Sequence, residues 1–213
     1  MKKFDLSFYL VTDEDLVKSG SLEEVCEKAL QSGVTFLQVR EKGASARDFY
    51  KQALALKEIS HKYDVPMVIN DRVDIALAVE ADGVHLGQSD LPIKVTRKIL
   101  GPDKIIGASA NTVEEAKKAE KDGADYLGVG AFFKTETKTD TSLVSLDLLQ
   151  EISQAVSIPL VVIGGIKEER LSYFEGRNID GFAVVSDIMG AEDVEKKTRS
   201  FKKEVERVLG GEK

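Results

Sequence analysis

The sequence predicts an α/β protein folded as a single (β/α)8 TIM barrel over residues 1–213. Three observations predict it. Short apolar runs recur along the chain, an amphipathic stretch follows each, and glycine or proline marks the junctions.

The apolar runs are "FYLVTD" (8–13), "FLQVRE" (36–41), "PMVIND" (66–71), "GVHLGQ" (83–88), "IIGASA" (105–110), "YLGVGA" (126–131), "PLVVIGGI" (159–166) and "GFAVVSD" (181–187). They are nearly continuous rather than alternating, as strands of a parallel sheet covered on both faces must be. Between them, "SLEEVCEKAL", "ARDFYKQALALKEISHKY", "TVEEAKKAEK" and "SLDLLQEISQAV" repeat apolar residues at helical spacing, with Lys and Glu on the opposite face. Gly33, Gly83, Gly123 and Gly181 precede expected strands two, four, six and eight; Pro66 and Pro159 open strands three and seven, and "GPD" (101–103) precedes strand five. The unequal intervals exclude a regular solenoid. The competing architecture, an open doubly wound sheet, usually carries GxGxxG after its first strand, and no such motif stands here.

Composition narrows the class. A hydrophobic fraction of 42% and a charged fraction of 31% are those of a water-soluble globular chain. No apolar run approaches the roughly 18 residues of a membrane span, and Asp5 and Ser7 interrupt what would be a signal-peptide core. Cys26 is the single cysteine, which excludes an internal disulfide and fits a reducing cytoplasm; its helical context makes it a packing residue. Net charge is −7 with no long basic run, arguing against nucleic-acid partners but not against phosphorylated small molecules. A homo-oligomer fits this sequence as well as a monomer does.

In such a barrel the site forms at the C-terminal strand ends. Those ends carry Gln38, Arg40 and Lys42 after strand two, Asn70 and Asp71 after strand three, Gln88 and Asp90 after strand four, and Ser109 after strand five. The loop "FFKTETKTDTS" after strand six supplies Lys134, Thr135, Thr137 and Lys138; strands seven and eight end in Gly164-Gly165 and Val185-Ser186. Glycines at that last place let backbone N–H groups approach phosphate oxygens. Arg40 continues an apolar strand and suits bidentate phosphate binding, with the lysines as mobile charges.

Asp71 and Asp90 admit two readings. Each stands where it could cap the following helix. Together, on adjacent strand ends, they suit Mg²⁺, which takes carboxylate oxygens and completes its shell from water and substrate phosphate. His61 lies in a polar helix end and is expected to be solvated, and His85, within strand four, is expected to be a hydrogen-bonded core residue. Neither has a triad partner in sequence.

The motifs "YLVTD", "LQVREK", "VINDRVDIA", "GVHLGQSDLP", "IIGASANT", "TETK", "VVIGGI" and "AVVS" together resemble the thiamin phosphate synthase family, in register from Tyr9 to about Ala191. The resemblance implies a magnesium-dependent transferase that joins a pyrimidine diphosphate to a thiazole phosphate by a dissociative route. It further implies that Gln38, Arg40, Lys42, Asn70, Ser109 and Lys138 hold the pyrimidine diphosphate, with Val39 and Glu41 in the same substrate-binding stretch. Arg40, Lys42, Ser109 and Lys138 would be catalytic, and Asp71 and Asp90 would bind Mg²⁺. Thr135, Glu136 and Thr137, the Gly165 backbone, Val185 and Ser186 would form the thiazole phosphate site, with the strand-six loop closing as a lid. One departure stands out: Lys134 and Ala131 occupy places where relatives often carry proline, which removes backbone restriction from that loop. Rival readings are a thiazole tautomerase-like barrel, a sugar-phosphate epimerase, and a non-catalytic phosphate-ligand-binding barrel.

Overall fold

The computed structural model describes residues 4–134 and 143–210. Its strands are β1 (Phe8–Val11), β2 (Phe36–Val39), β3 (Met67–Asn70), β4 (Gly83–Leu86), β5 (Ile105–Ser109), β6 (Tyr126–Val129), β7 (Leu160–Val162) and β8 (Gly181–Val184). They pair in parallel in sequence order, and β8 returns to β1 to close the barrel. Around it lie α1 (Leu22–Gln31), α2 (Ala46–Lys62), α3 (Val73–Ala78), α4 (Ile93–Leu100), α5 (Val113–Asp122), α6 (Leu146–Ala155), α7 (Ser186–Met189) and α8 (Val194–Leu209). The β7–β8 connection breaks the repeat: a 3₁₀ segment, Glu168–Phe174, stands where an α-helix was expected. No helix among the described residues is long and apolar enough to cross a membrane.

Helix starts follow local chemistry. The side chains of Ser21, Ser45, Thr112, Ser145 and Asp193 each accept the backbone N–H three residues on, and Ser21 forms a reciprocal capping box with Glu24. Cys26, fully buried in α1, is the packing residue expected; burial, and then the charge of Glu23, push its thiol up to about 12.

Two apolar layers separate cleanly. Outward-facing strand residues such as Leu10, Leu37, Val39, Ile69 and Val84 pack against the helices. Inward-facing Tyr9, Val11, Phe36, Val68, Ile105, Tyr126, Val161 and Ala183 fill the barrel, with Leu6 in the same cluster. Large rings fit because glycines face them. A Cβ on Gly107 would fall on the Tyr126 ring, and Cβ atoms on Gly83 and Gly181 would strike the carbonyls of Ile105 and Leu6.

At the N-terminal end of the barrel one device repeats four times. Thr35, Asp82, Asp125 and Asp180 each precede an even-numbered strand. Their backbone N–H groups donate to the carbonyls of Phe8, Met67, Ile106 and Leu160. Their side chains accept the N–H of the same residues, at 3.0, 2.8, 2.7 and 2.9 Å. Each pair of bonds closes a ring that pins an odd strand to the even strand after it. Asp82 also holds the buried Lys57 ammonium at 2.7 Å, and Asp125 holds Arg97 at 2.6 Å.

Asp82→Ala would leave both the Lys57 ammonium and the Met67 N–H without their carboxylate. The expected loss in a urea unfolding curve is about 3 kcal/mol, with the slope unchanged. A loss below about 0.5 kcal/mol, the range of ordinary surface substitutions, would mean that the clamp contributes little.

Candidate active site

A cavity of about 150 Å³ opens at the C-terminal ends of the strands. Its wall includes Gln38 and Arg40 from the β2 end, Asn70 from β3, His85 from β4, Ser109 and Asn111 from β5, and Gly128, Gly130 and Ala131 from β6. Ile163 to Ile166 after β7, and Ala183, Val185 and Ser186 from β8, complete it. The cavity sits at the barrel mouth, where six of the eight strands place a polar or small residue within their last two positions: Gln38, Asn70, His85, Ser109, Gly128 and Ala183.

A hydrogen-bonded chain links that interior to the cavity. Gln38 Nε2 donates to the Tyr9 hydroxyl at 2.5 Å, which lies 2.7 Å from the Tyr126 hydroxyl. Tyr126 in turn meets His85 Nδ1 at 3.0 Å, and His85 Nε2 meets Ser109 Oγ at 3.1 Å. His85 is thus a hydrogen-bonded core residue, as expected, and also a cavity residue. Its Cε1 would lie 3.1 Å from a Cβ on Gly128, so the glycine leaves the ring its place. Gln88 Nε2 holds the Ser109 carbonyl at 2.5 Å.

On the β2–β4 side lie the charges. The Arg40 guanidinium stands 3.4 Å from Asp13, a pairing that no local motif marks, and the Arg40 backbone N–H donates to Thr12 Oγ1. Lys42 is exposed on the loop after β2, and its charge acts on Asp71. The Asp71 and Asp90 carboxyls are hydrogen-bonded to each other. Burial, then that hydrogen bond and the Asp90 charge, push the Asp71 carboxyl up to about 6, against smaller opposing effects of Asn70 and Lys42.

The helix-cap reading of the two aspartates does not hold. Arg72 and Pro92 occupy the cap positions of α3 and α4, and neither makes a side-chain cap bond. Asp71 sits at φ +62°, and Asp90 Oδ2 accepts the Gly87 N–H at 2.6 Å. Two carboxyls held in contact, with only oxygen donors offered, fit a hard divalent cation such as Mg²⁺; among the described residues no larger His, Cys, Asp and Glu cluster competes for one.

Across the cavity, Gly164 and Gly165 take φ +93° and +68°. A side chain at 165 would meet Phe133 Cβ at 2.7 Å, and one at 164 would fall on Ala131. Both positions therefore need glycine to let the segment after β6 pack close, and both line the cavity. Arg170 Nη1 holds the Gly165 carbonyl at 2.7 Å and its guanidinium lies 4.7 Å from the Phe133 ring.

Of the residues singled out in the sequence, Gln38, Arg40, Asn70, Ser109, Gly165, Val185 and Ser186 line this one cavity. The Val39 side chain packs outward against the helices, leaving only its backbone near the site, and Glu41 lies on the rim loop with Lys42. Thr135, Glu136, Thr137 and Lys138, with the lid reading placed on them, lie outside the described residues. Ala131, expected to be less restrained than a proline, is buried; its carbonyl accepts the Val144 N–H at 2.8 Å, so this end of the loop is anchored. His61 is exposed, as expected. Asn111 was missed. It lines the cavity and its Oδ1 accepts the Gly130 N–H at 3.4 Å, yet in sequence it reads only as part of a helix start.

Residues 8–188 match the family model described as thiamine monophosphate synthase. The thiamine-phosphate synthase of Clostridium botulinum (strain Eklund 17B / Type B) is 55% identical over 97% of this chain and 97% of its own length. That of Clostridium tetani (strain Massachusetts / E88) is 53% identical over 92% and 93%. The solved thiamine phosphate pyrophosphorylase from Pyrococcus furiosus is 44% identical, superposes with a TM-score of 0.88, and is matched over 96% of this chain and 98% of its own.

The carboxyl pair gives a signed pH dependence. An acid whose folded pKa lies above its unfolded value binds more protons folded than unfolded, so stability falls as pH rises between the two. For Asp71 that window runs from its ordinary 3.8 to about 6. In buffer containing a chelator, unfolding free energy is expected to decline across this window, and Asp71→Asn to remove the decline and exceed wild type at pH 7. Parallel pH profiles for the two proteins would show the pair to be uncoupled.

Proposed function

The chain belongs to the thiamine monophosphate synthase family and is a transferase that makes thiamin phosphate, and we propose that it does so by a magnesium-dependent, dissociative condensation of 4-amino-2-methyl-5-hydroxymethylpyrimidine diphosphate with hydroxyethylthiazole phosphate. The observation that carries this reading is the division of one cavity into two anion sites. Arg40 lines it on one side and the Gly164-Gly165 backbone with Val185-Ser186 on the other, while Lys42 and the Asp71–Asp90 pair follow the ends of β2, β3 and β4, outside the lining itself.

In this reading Gln38, Asn70 and Ser109 hold the pyrimidine ring over the barrel mouth. Asp71 and Asp90 hold Mg²⁺, which when bound neutralises charge on the diphosphate. Arg40 and Lys42 face the same diphosphate and stabilise the charge that grows on it as the carbon–oxygen bond breaks, both electrons leaving with pyrophosphate. The amino group of the ring delocalises the resulting methylene cation. The thiazole nitrogen, positioned through its phosphate at Gly165 and Ser186, donates its lone pair to that carbon and closes the new carbon–nitrogen bond.

No general base is needed, which suits a cavity whose histidine has both ring nitrogens engaged by Tyr126 and Ser109. Lys138 would add a cation to the diphosphate, Thr135 and Thr137 would bind the thiazole phosphate, and Glu136 would be a further substrate-binding residue. A cytoplasmic location fits the single, buried, unpaired cysteine.

Mass detection of thiamin phosphate, with the two substrates and with or without Mg²⁺, tests the reading. Magnesium-dependent product is expected. Asp71→Ala and Asp90→Ala are expected to lower kcat by about a hundredfold, a magnitude typical of losing one charge-stabilising group, while remaining folded. Product at an undiminished rate in chelator would remove the metal from the proposal; no product from folded protein would remove the synthase reading.

A further inference from the structure

The buried chain from Gln38 to Ser109 has a direction, and that direction reaches the substrate. Tyr9 and Tyr126 are 1% and 0% exposed. Burial pushes both phenols far above their ordinary pKa, so each keeps one proton to donate and one oxygen to accept with. The first link fixes the rest. Gln38 gives an amide N–H to Tyr9, and the sense that then leaves no buried hydroxyl proton without an acceptor has Tyr9 donating to Tyr126 and Tyr126 donating to His85 Nδ1. A neutral imidazole that accepts at Nδ1 carries its hydrogen on Nε2, which faces Ser109 Oγ. Ser109 receives, and its own proton is left for the cavity.

We propose that Tyr9, Tyr126 and His85 form a one-way hydrogen-bond relay that presents Gln38 Oε1 as an acceptor and the Ser109 hydroxyl as a donor toward the bound pyrimidine. They are positioning residues for substrate choice. The relay spans the barrel from β2 to β5 through side chains of β1, β6 and β4, so a ring held between its ends meets one acceptor and one donor. An aminopyrimidine matches that pair, having an amino donor and bare ring-nitrogen acceptors. Its 4-oxo analogue has a carbonyl in place of the amino group and is mismatched at the Gln38 acceptor. Reversing all the links together would be needed to accept it. This assignment of ligand rests on the proposed reading of Gln38 and Ser109 as pyrimidine-binding residues; the relay itself does not.

The test begins with the whole, unliganded protein. In ¹⁵N spectra of the imidazole rings, with His61→Gln used to assign the second histidine, the His85 ring is expected as the Nε2–H tautomer with a bare Nδ1. An Nδ1–H tautomer, a doubly protonated ring, or averaging between tautomers would overturn the relay. In Tyr126→Phe, which keeps the ring and loses one hydroxyl, the tautomer is expected to become mixed. The KM for the pyrimidine diphosphate is expected to rise about tenfold while that for the thiazole phosphate stays within about twofold. Preference for the amino substrate over the 4-oxo analogue, measured by competition, is expected to fall by about the same factor. A single retained tautomer in Tyr126→Phe, or both KM values rising together, would overturn the proposal. Wild-type protein that makes no thiamin phosphate would sink the reading of the site instead, and the imidazole spectrum would still decide the relay.

Discussion

The hydrogen bond between Tyr9 and Tyr126 is the constraint around which the barrel interior is arranged. An eight-stranded barrel has an inside just wide enough for side chains, and these two rings occupy its middle. Rings of that size need bare backbone opposite, hence Gly107 against the Tyr126 ring. Their hydroxyls, fully out of water, need partners, since each buried hydroxyl left unpaired costs on the order of 1–3 kcal/mol. Those partners are each other, Gln38 and His85. The polar groups that satisfy the core therefore form the floor of the cavity, and core and site are one hydrogen-bonded structure.

Stability and chemistry are divided between the two ends of the barrel. At the N-terminal end, Thr35, Asp82, Asp125 and Asp180 bind strands in pairs, and each side chain is satisfied by a backbone N–H. At the other end the strands stop after three to five residues and the polar groups that follow are poorly reconciled: the Asp71 and Asp90 carboxyls interact, glycines hold positive φ, and Arg40 reaches only a 3.4 Å contact with Asp13. An end so arranged is stable because the other end holds the strands in register. This also explains why the bonds that matter at the N-terminal end involve neighbouring strands only, whereas the relay at the site crosses the whole barrel.

The eight strands, their parallel order and the C-terminal polar residues were legible because each depends on local pattern: apolar runs, helical periodicity and the punctuation at Gly83 or Pro159. Most of the cavity wall was legible for the same reason, since barrel geometry assigns strand ends to it. What could not be read is what pairs across the closed sheet. Tyr9 and Tyr126 are 117 residues apart, and nothing local to either marks it as a polar partner of the other. The clamps were similarly concealed. The glycines before even strands mark the junctions, but the aspartates beside them carry no further signal, because an Asp at a strand start reads as a turn residue. The two helix-cap readings failed on backbone conformation: Asp71 takes a left-handed φ, which its short polar side chain tolerates better than most, and so it leaves the capping position.

That left-handed residue is also where the electrostatics of the site concentrate. A non-glycine residue at positive φ carries a backbone cost on the order of 1 kcal/mol, and here it belongs to Asp71, whose carboxyl is held in its protonated form to higher pH by partial burial and by Asp90. Nothing in folding alone favours such a pair. A helix cap, available one or two residues away, would have satisfied the same carboxylates at less cost. In the proposed reading, Mg²⁺ held by the two carboxylates would supply an attraction that outweighs their mutual repulsion. The strain thus points outward, to a ligand, and the Lys42 charge nearby lowers the cost without removing it. A fold that sets two carboxyls side by side at the end of the barrel that also carries the cavity has placed an unfavourable interaction where, in the proposed reading, binding would relieve it.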